Sequence, residues 1–369
     1  MALYPLIRPL LFSLEAEQAH RLVFALARAG GFIPGFHRAQ AAFLRYDSPR
    51  LRTRVWGSDL TNPIGVAAGF DKDGLILPAL FGLGAGFVEV GTVTPRPQPG
   101  NPSPRMFRLP EDHALINRMG FNNQGAYALG RRLGKRPPPA GLLGINLGKN
   151  RDTPLTAAAE DYLVAMHALY AHAGYLVVNI SSPNTPGLRS LQEKHTLSQL
   201  ISLLKGEREK LAEVTGRRVP LLVKLSPDMS LEAVGDVVET ALEYGLDGLV
   251  AANTTTSREG LTSPHKVRDG GLSGKPLLPH TLRLVARLHR LAQGKLVIVG
   301  VGGVFSGEDA YAMIKAGASL VQLYTGLIYQ GPGVIRRIKR DLDRALAADG
   351  LDSVEKAVGL EAHQVEKPG

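Results

Sequence analysis

A chain of 369 residues with 43 Lys and Arg against 33 Asp and Glu, a formal net charge of +10 and no cysteine can bury one large core or two medium ones without metal or crosslink. The missing cysteine excludes disulfides, thiolate metal centres and every mechanism that needs a Cys nucleophile or acid. The basic residues are spread over amphipathic segments instead of gathered in one block, which reads as solvated helix faces and speaks against a nucleic-acid partner. No stretch reaches the roughly 20 consecutive apolar residues of a membrane-spanning helix.

In chain order, the first eleven residues are apolar but broken by Pro5, Arg8 and Pro9, and do not read as a secretory signal. Ser13 is expected to cap a helix over 14–28 that carries Leu14, Ala19, Leu22, Val23 and Leu26 on one face and closes at Gly30-Gly31. With residues 4–12 it forms a small helical hairpin. This hairpin either packs on the main domain or, with Arg8, Arg21 and Arg28, rests on a membrane surface. The expected division is a helical segment over 1–40 and a catalytic domain over 41–369.

From residue 60 onward, short apolar runs alternate with amphipathic stretches. Strands are expected at 64–68, 87–93, 142–147, 176–180, 221–225, 248–252, 296–301 and 320–324. Helices are expected at 158–173, 198–214, 231–244, 280–291 and 308–316. Strands apolar on both faces are those of a buried parallel sheet, and eight of them with intervening helices predict an α/β fold of the (β/α)8 TIM-barrel type. A doubly wound open sheet would carry a glycine-rich dinucleotide fingerprint after its first strand, and residues 67–74 lack that spacing.

A barrel places its chemistry at the C-terminal strand ends, and those ends are polar here. Lys72, Asn117, Asn146, Asn179, Ser182, Asn184, Lys224, Asn253 and Thr254 all fall at or just beyond them. Asn side chains pair with amide edges of a ligand, and the Ser182 hydroxyl can move a proton. Asn, Ser and Pro are also turn residues, so the run 179–189 alone leaves both readings open; the strand ends taken as a set favour a site. Lys224 lies inside an apolar strand and needs an anionic partner, expected from a ligand because no acid recurs at the strand ends.

The glycines at 300, 302 and 303, with Ser306 and Gly307 leading into a helix, and the run Tyr324-Thr325-Gly326, occupy the places where barrels hold phosphate on backbone N–H groups. The run 271–274 is expected to add amides. The ten histidines show no metal spacing, His195 and His289 reading as surface residues, and neither a nucleophile elbow nor a phosphate-binding P-loop is present. A phosphorylated cofactor in an amide-lined space without metal ligands suggests flavin chemistry on FMN.

The runs at 67–72, 91–95, 117–123, 144–150, 179–189 and 271–274, in this order, resemble the class 2, quinone-dependent dihydroorotate dehydrogenases over essentially the whole chain. The resemblance implies one FMN per chain, oxidation of (S)-dihydroorotate to orotate in pyrimidine synthesis, and electron transfer to a membrane quinone. It implies Ser182 as the base, with Thr185 and Phe121 as its proton relay. Lys72 would hold the substrate carboxylate and Asn117, Asn184, Asn253 and Thr254 its ring amides, with Arg118, Met119, Gly120, Phe121 and Asn179 completing the substrate set. Ala68, Gly69, Thr92, Asn146, Asn179, Lys224, Ala252, Gly274, Gly303, Tyr324 and Thr325 would hold the cofactor. His20, Arg108 and Tyr324 would line a quinone tunnel. The implied protein is a monomer, peripheral to the cytoplasmic side of the bacterial cell membrane, without nucleic acid.

Class 1 relatives place a Cys where Ser182 stands, so the cysteine-free chain is similar to class 2. At Ala252 some relatives carry Thr, a departure that touches the cofactor contact if the hydroxyl is used there. Two rival readings are a flavin-dependent tRNA dihydrouridine synthase, whose design relies on a cysteine acid, and a non-catalytic phosphate-binding barrel that scaffolds partners at a membrane.

Overall fold

Runs that are apolar on both faces become parallel strands only where both faces find cover, and a closed barrel ringed by helices supplies it. The computed structural model describes residues 3–137 and 139–365. Its strands are β1 (Thr53–Val55), β2 (Ser58–Leu60), β3 (Ile64–Val66), β4 (Phe87–Val93), β5 (Met106–Leu109), β6 (Ala114–Asn117), β7 (Leu142–Leu147), β8 (Tyr175–Asn179), β9 (Leu221–Lys224), β10 (Gly248–Ala251), β11 (Gly271–Gly274), β12 (Val297–Val301) and β13 (Leu320–Leu323). The closed, all-parallel barrel runs β3-β4-β7-β8-β9-β10-β12-β13 and back to β3. These eight strands are the eight expected ones.

The remaining strands were not expected. β1 and β2 form an antiparallel hairpin whose Val55 and Leu60 pack with Phe87, Tyr175, Leu222 and Val299 inside the barrel. Trp56 Nε1 donates to Asp247 O at 3.0 Å, so the hairpin plugs the end opposite the site. β5, β6 and β11 form a second antiparallel sheet. The run 271–274, expected to add amides, is a strand paired to β6, with Gly271 opposite Asn117. A side chain at 271 could not fit: a Cβ there would lie 1.9 Å from Thr254 Oγ1.

The outer helices are α4 (Leu77–Gly82), α5 (Ala126–Gly134), α6 (Ala158–Leu169), α7 (Lys194–Thr215), α8 (Leu231–Glu243), α9 (Leu278–Ala292), α10 (Gly307–Lys315), α11 (Thr325–Gln330), α12 (Val334–Ala348) and α13 (Ala362–Val365). Helix α12 shows how they attach. Val334, Ile335, Ile338, Leu342 and Leu346 recur on one face and are buried, and each such side chain contributes about 2 kcal/mol by leaving water. Helix α10 begins in a capping box: Asp309 N donates to Ser306 Oγ at 3.1 Å while Ser306 N donates to Asp309 Oδ2 at 3.0 Å. That box fixes the loop from β12.

Ahead of the barrel stand α1 (Leu3–Ser13), α2 (Ala16–Gly30) and α3 (Phe36–Leu44). Ser13 ends α1, its Oγ donating to Leu10 O at 2.8 Å, and so does not cap α2, whose cap position is Glu15. The expected boundary at residue 40 falls inside α3, and Gln40 Nε2 ties that helix to α4 through Ala79 O at 2.9 Å. The buried positions of α2 are Ala16, Glu17, Ala19 and Gly30, while Leu22, Val23 and Leu26 face outward. Leu6, Leu10, Phe32, Ile33 and Phe43 are also exposed, giving the extension an uncovered apolar face. Among the described residues no helix is long and apolar enough to cross a membrane.

Candidate active site

The C-terminal strand ends and the β5-β6-β11 sheet line one cleft, the place where such barrels carry their sites. Of the expected residues, Ala68, Gly69, Lys72, Thr92, Asn117, Met119, Gly120, Phe121, Asn179, Ser182, Asn184, Lys224, Ala252, Asn253, Thr254, Gly274, Gly303, Tyr324 and Thr325 line it. Nine segments far apart in sequence thus meet in one space.

The floor is a polar network inside an apolar barrel. Glu89, fully buried in β4, accepts from Asn146 Nδ2 at 2.8 Å, Gln322 Nε2 at 2.7 Å and the Tyr175 hydroxyl at 3.1 Å. Asn146 does not reach the cleft itself; its Oδ1 accepts from Thr92 Oγ1 at 2.5 Å and Asn179 Nδ2 at 3.0 Å. Lys224 is buried at the end of β9, and desolvation lowers its pKa while the Glu89 carboxylate acts in the opposite direction. This corrects the expectation that only a ligand answers Lys224: the protein supplies an anion from mid-strand. Glu89 is the single acid in the run 87–93, a signal that a search confined to strand ends passes over.

Opposite the floor, Ser182 Oγ accepts from Asn184 N at 3.2 Å, and Asn184 Nδ2 donates to Asn117 Oδ1 at 3.3 Å. The Lys72 ammonium donates to Asn122 Oδ1. Its removal from bulk water, and then the nearby Arg105 guanidinium, bring its pKa down to about 8. Arg189, in the run 179–189 but without an expected role, staples two loops. Its Nε donates to Ser181 O at 3.2 Å, one Nη to Thr254 O at 3.2 Å, and the other pairs with Asp228 at 3.0 Å.

The third wall is a set of unpaired amides. Asp309 consumes the N–H groups of Phe305 and Ser306, whereas those of Gly303, Val304, Thr325 and Gly326 have no partner among the described residues. Gly303 has φ +81°, and a Cβ there would meet Leu278 N at 2.5 Å, so only glycine brings the backbone this close. Beside these amides, buried Gln322 Oε1 also lacks a partner. Orphan donors for a phosphate and an orphan acceptor on the floor fit a phosphorylated cofactor whose ring carries an N–H, as a flavin mononucleotide does.

Some expected residues are not brought in. The Arg118 side chain turns out of the cleft, donating to Pro104 O at 2.9 Å and lying over the Phe107 ring. Thr185 is buried and does not line the cleft. Arg108 sits at the corner between α1 and α2, bonded to Leu11 O at 2.9 Å and over Phe12. His20 lines a neighbouring cavity with Phe24, Phe70, Arg105 and Tyr324, which shares Gly69, Lys72, Met119 and Tyr324 with the cleft. There His20 Nε2 lies 3.0 Å from Phe70 O, and burial lowers its pKa. Tyr324 meets Phe70 edge-on at 5.7 Å, and burial raises its pKa to about 12. His289, expected at the surface, is half-buried at the end of α9, and burial lowers its pKa.

The family model described as dihydroorotate dehydrogenase matches residues 50–346. A protein of Roseiflexus castenholzii named dihydroorotate dehydrogenase (quinone) is 49% identical over 360 residues, covering 98% of this chain and 97% of its own. One of Rhodospirillum rubrum with the same name is 50% identical over 359 residues, covering 97% and 94%. Among solved structures, DHODH from Eimeria tenella in complex with ferulenol matches with a TM-score of 0.86 at 41% identity, covering 94% of this chain and 95% of that one. The chain belongs to the dihydroorotate dehydrogenase family.

Proposed function

We propose that the chain oxidises (S)-dihydroorotate to orotate in pyrimidine synthesis and delivers the electrons to a quinone, the acceptor in the names of its relatives. The observation that carries the reading is the cleft itself: a buried serine, an ammonium and amides on one side, and an unpaired amide nest on the other.

Lys72 binds the substrate carboxylate, and Asn117, Asn184, Asn253 and Thr254 take the ring amides by donor and acceptor pairing. Met119, Gly120, Phe121 and Asn179 close around the ring. Ser182 takes the C5 proton and passes it, by way of the Thr185 hydroxyl, to an exit water bordered by Phe121; the hydrogen leaving C6 with its electron pair completes the C5–C6 double bond. A bound FMN, one per chain, supplies the acceptor for that hydrogen and pair. Gly303 and Thr325 would hold its phosphate through backbone N–H groups, with Gly274 and Tyr324 closing the nest, and Ala68, Gly69, Thr92, Asn179, Lys224 and Ala252 would face its ring. Only backbone is available from Ala252, so the Ala-for-Thr departure leaves that contact without a hydroxyl.

The cavity beside His20 and Tyr324 is the quinone approach; Arg108 shapes it through the α1–α2 corner instead of lining it. The helices α1 to α3 are the membrane-attached segment, supported by their uncovered apolar face. The proposed attachment is peripheral, on the cytoplasmic side of the bacterial cell membrane. The proposed oligomeric state is a monomer.

Purified protein given dihydroorotate and, in turn, a quinone, fumarate or NAD tests the reading. Orotate formation with the quinone above both alternatives is expected. A colourless preparation that takes up no FMN, or turnover with NAD alone, would sink it.

A further inference from the structure

An Asn or Gln side chain can turn either its acceptor or its donor end to a neighbour, whereas a carboxylate only accepts. Glu89 therefore imposes a direction on every amide tied to it. Asn146 must give Nδ2 to Glu89 (2.8 Å), which turns Oδ1 toward β8, where Asn179 Nδ2 donates at 3.0 Å. Asn179 is thereby left with Oδ1 toward β10, where Asn253 Nδ2 donates at 3.3 Å. Asn253 in turn offers Oδ1 to Thr254 N at 2.8 Å. Ser181, donating to Asn179 Oδ1 through N at 3.3 Å and Oγ at 3.2 Å, reinforces the same sense.

Three amides thus stand head to tail from the middle of the barrel to the substrate side, with one negative group at the root. On the second branch Gln322, which lines the cleft, must give Nε2 to Glu89 at 2.7 Å, which leaves its Oε1 buried without a partner. Thr92 bridges the row, donating to Asn146 Oδ1 and accepting from Asn179 Nδ2 at 2.9 Å.

We infer that Glu89 is a positioning residue that sets the donor and acceptor polarity of the whole cleft. It presents Gln322 as an acceptor to a cofactor N–H and fixes Asn179 and Asn253 in the sense that substrate and cofactor meet. The role toward cofactor rests on the flavin reading above; the polarity of the row is a property of the protein alone.

The test relocates the root by one step. Glu89→Gln keeps size and shape but gives position 89 both a donor and an acceptor, so Asn146 and Gln322 are no longer forced. Asn146→Asp alone sets two carboxylates against each other. In the double variant the Gln at 89 donates to the Asp at 146 and accepts from Gln322 and Tyr175, while the Asp still accepts from Thr92 and Asn179. Every hydrogen bond and the direction of the row are restored.

FMN binding by fluorescence quenching, together with thermal unfolding of the flavin-free proteins, gives two readouts independent of turnover. Each single variant is expected to bind FMN at least tenfold more weakly than wild type, and the double variant to return to within about threefold. If Glu89→Gln does not fold, recovery of folded protein in the double variant carries the same information. A Glu89→Gln protein that binds like wild type, or a double variant no better than the worse single one, overturns the inference. Wild type that binds no FMN would sink the flavin reading instead, while the unfolding comparison still tests the row.

Discussion

Lys72 is the proposed anchor of the substrate carboxylate, where a loss of charge would be felt directly. Its pKa of about 8 lies below that of an ordinary lysine because the charged form is desolvated and faces Arg105. The depressed group is cationic below about pH 8 and neutral above it, so the free enzyme loses its carboxylate anchor as pH rises through that value. The KM for dihydroorotate should then climb about tenfold per pH unit above 8, with kcat much less affected because the bound carboxylate holds the proton on. A pH profile of kcat/KM checks this; a flat profile from pH 7 to pH 10 would place the anchor elsewhere. Ser182→Ala should keep bound FMN yet slow flavin reduction by dihydroorotate by roughly 10²- to 10⁴-fold, the usual weight of a general base. An unchanged rate in stopped-flow would assign the proton to another group. Ser182, Lys72 and the asparagines were legible because polar residues interrupt apolar runs at strand ends. Glu89 and Gln322 were not, since a polar residue within a strand gives no sign of whether it faces the barrel axis or the helices.

At the scale of elements, α2 is held to the barrel by a buried ion pair. Glu17 meets Arg105 at 2.8 Å with both side chains almost covered, and the hydrogen bond from Arg105 holds the Glu17 carboxyl down at about 2. A depressed carboxylate stabilises the fold above its unfolded pKa of about 4.3 and loses that contribution as pH falls toward 2. The helical extension should therefore loosen between about pH 4 and pH 2, seen as early proteolytic cleavage before residue 45. Glu17→Ala leaves Arg105 without its partner and should cost on the order of 3 kcal/mol, read as a lower thermal midpoint. The eight barrel strands fell within a residue or two of their expected bounds because each is a compact apolar run between turn residues. The hairpin β1-β2, strands β5, β6 and β11, and helix α3 escaped, being only three to nine residues long; a strand of three or four residues gives too few repeats for any period to register.

For the whole molecule, the proposed function divides the two half-reactions between the barrel and the extension. The extension covers the barrel mouth with one face and leaves Leu22 and Leu26 exposed on the other. Leu22→Asp with Leu26→Asp should weaken sedimentation with phospholipid vesicles while leaving flavin reduction by dihydroorotate unchanged; undiminished sedimentation would show that another surface meets the lipid. The central claim joins both halves, and one measurement reaches it. Purified protein is mixed anaerobically with one equivalent of dihydroorotate, followed by one equivalent of a quinone, while the visible flavin absorbance is recorded. The account predicts stoichiometric bleaching with release of orotate, then full return of the absorbance on adding the quinone. Absorbance that dihydroorotate leaves untouched, or bleaching that the quinone cannot reverse, would contradict it.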